Sequence, residues 1–135
     1  MAFSFKSPQG EGAMVYIILT NNPLVSEQLS EDFDLTYQEV SAIEILYQAR
    51  DQIHRGYRLI NHPLSASKKV SQSPYKSIVL TPGKALDLKS LEVIEHSIET
   101  LRNYLGVSAN HNAHLEDYMF LDYEALTTGL KEIYQ

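Results

Sequence analysis

Five apolar residues in a row, Val15-Tyr16-Ile17-Ile18-Leu19, place the strongest constraint on this chain. The run is β-branched and aromatic, too short for a buried helix, and lacks the alternation of a strand with one wet face. It predicts a strand covered on both sides, inside a parallel sheet. It stops at Thr20-Asn21-Asn22-Pro23. There Asn22 is suited to cap a helix and Pro23 to occupy its first position, where the fixed φ is already helical. A short helix from Leu24 to Phe33 follows, and then a second strand from Leu35 to Val40.

The rest of the chain supplies layers to cover that strand. Ser41 with Glu44 three residues later is a capping box, and Ile43, Leu46, Tyr47, Arg50 and Ile53 keep helical spacing as far as Gly56. Arg58 to Ile60 and Ser77 to Leu80 read as the third and fourth strands. Asp87 then caps a helix whose Leu88, Leu91, Ile94, Ile98, Leu101 and Leu105 recur at steps of three or four before Gly106. A polar connection from Val107 to Ala113 leads to a last helix with Met119, Tyr123, Leu126, Leu130 and Ile133 on one stripe. The expected architecture is a loose arm over residues 1–13 and a single α/β domain over 14–135. Its three layers enclose a mainly parallel four-strand sheet in the order 2-1-3-4, with the last two helices at the C-terminal end. The parallel reading depends on the stretch from Asn61 to Tyr75, which has no helical period and about the minimum length of a crossover. An antiparallel fourth strand would carry Thr81 to the opposite edge and leave only the first two turns together.

Composition narrows the functions. A net charge of −6 opposes broad binding to nucleic acid, which needs a basic face. The absence of cysteine excludes thiolate nucleophiles, disulfides, iron–sulfur clusters and cysteine-bound zinc. No apolar run reaches the length of a membrane span, so a cytoplasmic protein with neither nucleic-acid nor membrane partners is expected. No cofactor fingerprint stands in the sequence, and none is expected.

Three strands end in similar polar turns, Thr20-Asn21-Asn22-Pro23, Asn61-His62-Pro63 and Thr81-Pro82-Gly83. In open α/β sheets ligands gather beyond the carboxyl ends of strands, beside helix N-termini. Ser65, Ser67, Lys68 and Lys69 add hydroxyl and ammonium donors to the second turn, the donor set of a small anion. The glycines of a Walker loop are missing, and a solvated basic loop is the plainer reading. His62 suits acid–base work near neutral pH, or a structural role before Pro63. Arg50, Asp51 and His54 share one side of the second helix. Arg50 falls on its apolar stripe, either covering the core edge with its stem or reaching toward the Asn61 to Ser67 loop. His54 also suits the negative end of the helix dipole. His111, His114, Glu116 and Asp117 imitate a metal set only through generic spacing, and no metal site is assigned.

The motifs Ile18-Leu19-Thr20-Asn21-Asn22-Pro23-Leu24-Val25, Arg50-Asp51-Gln52-Ile53-His54-Arg55-Gly56, Asn61-His62-Pro63-Leu64-Ser65-Ala66-Ser67 and Ser73-Pro74-Tyr75-Lys76-Ser77-Ile78, in this order, resemble the GrdX family. The resemblance covers roughly residues 14 to 81. It implies a setting among the glycine, sarcosine and betaine reductase genes of anaerobic bacteria that ferment amino acids, and no defined activity. Ala66 stands where the family's loop is expected to carry glycine, which holds the backbone farther from a ligand. Two functions stay open. One is a non-enzymatic accessory protein that binds a small anionic metabolite through Asn21, Asn22, Arg50, His54, His62, Ser65, Ser67 and Lys68, with glycine reductase components or a second copy of the chain as partners. The other is a small enzyme acting on a phosphorylated or carboxylated metabolite.

Overall fold

The structure is a computed structural model in which residues 15–64, 73–105 and 115–133 are described. Among them are four strands and four helices. The apolar run forms β1 (Ile17–Thr20), and α1 (Pro23–Leu29) follows at once. Asn22 caps α1, its Oδ1 accepting from the Leu24 amide at 3.0 Å. The helix is shorter than expected, with Ser30 as its C-cap, and Phe33 beyond it is buried in the core. Next come β2 (Asp34–Tyr37) and α2 (Ala42–His54), whose first turn is capped by the Ser41 hydroxyl. Gly56 ends α2 with φ of +105°, a conformation that a side chain would strain. The chain continues through β3 (Arg58–Leu59), β4 (Ser77–Thr81), α3 (Leu88–Leu105) and α4 (Leu115–Ile133).

One sheet holds all four strands in the order β2-β1-β4-β3. β1 lies in its interior, parallel to β2 through Ile17↔Asp34 and antiparallel to β4 through Ile17↔Leu80. β3 pairs with β4 antiparallel through Arg58↔Thr81. The expected mainly parallel sheet in the order 2-1-3-4 is therefore corrected to a mixed one, and its reason lies in the residues. All five residues of β4 are buried, so it needs cover on both faces and a neighbour on each side. β3 has only two paired residues, one of them the exposed Arg58, and suits an edge. The stretch joining them has no apolar period with which to cross a sheet face as a helix, so the chain doubles back.

Alternation along the two central strands sorts the core into two halves. Leu19, Ile78 and Leu80 pack with Ile45, Ile53, Ile94 and Ile98 of α2 and α3. Ile18 and Val79 point the other way, against Val25 and Leu29 of α1 and Leu126 and Leu130 of α4. The result is the expected three-layer α/β sandwich, with the unalternating strands inside it.

Candidate functional site

β1, β2 and β3 run in one direction and β4 in the other, so one edge of the sheet collects the ends of the first three strands and the start of the fourth. Asn21, Asn22, Asn61, His62, Lys76 and Ser77 all follow or begin strands there, while Thr81 is carried to the far edge.

Side-chain amides take over where the ladders stop. Asn21 Oδ1 accepts from the Lys76 amide at 2.8 Å, and its Nδ2 donates to the carbonyls of Val40 and Pro74 at 2.8 and 2.9 Å. Asn61 does the same for the other side of β4, accepting from the Val79 amide and donating to the Ser77 carbonyl. The two asparagines clamp β4 at its start, Asn21 holding the backbone of Lys76 and Asn61 that of Ser77 and Val79.

Asn22 is fully buried and is spent differently: its Nδ2 donates to Asp122 Oδ2 and to the Met119 carbonyl, both at 2.9 Å. Ser77 Oγ also donates to Asp122 Oδ2, at 2.7 Å. Because that donation uses the only Ser77 hydroxyl proton, the 2.7 Å contact between Thr20 Oγ1 and Ser77 Oγ has Thr20 as donor. Thr20 in turn accepts from the Asn22 amide at 2.9 Å. A directed chain of hydrogen bonds thus runs from the α1 cap through two hydroxyls to a carboxylate on α4. Such chains strengthen each member in a low-dielectric interior.

Lys76 lies within range of the charge of this carboxylate, with 2 % of its surface exposed. Burial pulls its ammonium down to about 8, against the opposing attraction of Asp122. Burial likewise pushes Asp122 up, and the hydrogen bonds of Asn22 and Ser77 and the charge of Lys76 only partly resist it. An ammonium beside a carboxylate and an amine beside a carboxylic acid carry the same net charge. Desolvation brings these two forms closer in free energy than they are in water.

Both residues line a cavity of about 880 Å³ between the β3 edge, α3 and α4. Ser77, His62 and Leu64 contribute one wall, His96 of α3 a second, and Ala125 and Gly129 of α4 a third. His62 is exposed, and its Nδ1 accepts from the Leu64 amide at 3.1 Å, which leaves Nε2 to carry the proton of the neutral ring.

The sequence-derived candidates divide. His62 lines the cavity; Asn21 and Asn22 stand behind its wall and hold Lys76 and Asp122. Arg50 pairs with Glu95 of α3 at 2.9 Å and lies 5.1 Å from the centre of the Tyr47 ring, in the contact between α2 and α3. His54 is exposed in the last turn of α2. Ser65, Ser67 and Lys68 lie outside the described residues, as do His111, His114 and the arm over 1–13. Among the described residues no histidine and carboxylate group is arranged to hold a metal ion, and no helix is long and apolar enough to cross a membrane.

Two residues central to this cavity were not among the candidates, though each left a signal. Lys76 is in phase with Ile78 and Leu80 on the strand period, and Asp122 falls on the α4 stripe between Met119 and Leu126. Ionised side chains at core positions are seldom buried without a role.

The model of the GrdX-like protein family matches residues 17–131, most of the chain, and the chain belongs to that family. Neither a curated protein nor a solved structure matches it.

Proposed function

We propose that this GrdX-family chain binds a small anionic metabolite, a carboxylate or phosphate, in the cavity at Lys76, and acts as an accessory protein in anaerobic amino-acid metabolism linked to glycine reductase. The observation that carries this reading is a lysine ammonium, almost wholly withdrawn from water, on the wall of a cavity of metabolite size. Holding a cation out of water is costly, and an incoming anion offsets the cost with a charge-assisted hydrogen bond that water cannot match there. His62 and His96 extend the polar side of the cavity, and Ser65, Ser67 and Lys68, which follow Leu64 in the sequence, stay in the proposal as donors to the same anion. In this reading Asn21 and Asn22 are scaffold, because their amides are already committed to Lys76, Val40, Pro74, Asp122 and Met119.

A thermal-shift panel of small carboxylates and phosphates tests the proposal. A ligand at a hundredfold its dissociation constant stabilises the wild type by about 2.7 kcal/mol, a readable rise in midpoint. A folded Lys76→Ala variant is expected to lose that response. A flat panel for the wild type, or an equal response in both proteins, contradicts the reading.

A further inference from the structure

We infer that Lys76 is a carbonyl-capturing amine, joining a small 2-oxo acid or acid aldehyde as an imine in its cavity while Asp122 carries the protons. The inference rests on the anion reading of the same cavity and adds a reaction to it.

Three observations combine. Imine formation needs a neutral amine, and an exposed lysine at neutral pH supplies almost none. Lys76 is buried and its ammonium is drawn down to about 8. Its backbone is held by Asn21, so its stem starts from a fixed point on the cavity wall. Asp122 lines the same cavity, and its Oδ2 already accepts from Asn22 and Ser77. Burial raises the proton affinity of this carboxyl and its charge acts on Lys76, so it can hold a proton for exchange with the amine. His62 and His96 line the cavity as well and suit the carboxylate end of the compound.

The step balances without any oxidant or reductant. The Lys76 nitrogen forms a bond to the carbonyl carbon as the C=O π bond opens; the oxygen takes a proton from Asp122, and the nitrogen returns one to it. The carbinolamine hydroxyl then receives the Asp122 proton and leaves as water. A protonated C=N bond remains beside the Asp122 carboxylate, with the net charge of the starting pair.

Reductive trapping tests this directly. The full chain is incubated with pyruvate or glyoxylate, reduced with sodium cyanoborohydride, and read by intact mass and peptide mapping. The expected result is a single adduct on Lys76, absent from Lys76→Arg and formed at least tenfold more slowly by Asp122→Asn. Mapping of the wild type decides the question even if either variant fails to fold. Calorimetric binding of pyruvate without an adduct on Lys76, or an adduct spread evenly over the exposed lysines, overturns the imine and leaves the anion reading standing. No binding of pyruvate, glyoxylate or inorganic phosphate removes both.

Discussion

Lys76 and Asp122 are the two charged side chains buried at core positions among the described residues. A shift of Lys76 from 10.5 to about 8 corresponds to about 3 kcal/mol of stability surrendered at neutral pH. The sign follows from linkage. The folded state holds the Lys76 proton less tightly than the unfolded chain does, so the penalty is complete below about 8 and relieved as the pH rises toward 10.5. Urea denaturation should therefore find the wild type gaining stability relative to Lys76→Met, by up to about 3 kcal/mol, as the pH rises from about 8 to 10.5. A pH-independent difference would contradict the burial of an ammonium there. Asn22→Asp tests the other partner. It keeps the helix cap but sets a second carboxylate against Asp122 Oδ2. Two adjacent carboxyls cannot both ionise cheaply, so the folded pair retains a proton that the unfolded chain has lost, and stability falls as the pH rises. The variant should lose about 2–4 kcal/mol at pH 7.5 and recover part of this by pH 5. An equal loss at both values would mean that the introduced group does not face Asp122.

At the scale of elements, the helices were readable from caps and periods. Asn22-Pro23, Ser41 with Glu44, and Asp87 each start a helix where the sequence places one. Strand order was not readable from the same kind of signal, since an apolar run reports how many faces are covered and not which strand lies beside it. The burial of both faces of Ile78-Val79-Leu80, set against the two-residue β3 with its exposed arginine, is what decides the order. The candidate site was legible in part for a related reason: the polar strand ends mark the sheet edge that the cavity adjoins, but Asn21 and Asn22 are spent there on backbone groups and Asp122, and the ionisable pair hides at positions that read as core. Gly129 of α4 offers an element-scale test. A Cβ at this position meets nothing within 4 Å, and the residue lines the cavity. Gly129→Ala should stabilise the fold by about 0.5–1 kcal/mol in chemical denaturation through helix propensity alone. Gly129→Phe should instead fill the cavity, keeping a native circular dichroism spectrum while losing ligand response. Destabilisation by the alanine would show that the position is packed and the cavity narrower than described.

For the molecule as a whole, the mixed sheet brings the site into being. With β4 reversed, its start rather than its end meets the ends of β1 and β3, and Lys76 arrives within range of the charge of Asp122, on a helix far along the chain. Among the described residues Lys76 is the one buried cation, and the net charge of the chain is −6, so in the proposed reading an anion is repelled by most of the surface and drawn to a single place. The most direct test of that account is isothermal titration calorimetry of a small carboxylate or phosphate found by the thermal panel, against the wild type, Lys76→Met and Gly129→Phe. The account predicts one site per chain in the wild type and an affinity at least tenfold weaker in each variant. Unchanged affinity in both folded variants would place the anion elsewhere and contradict it.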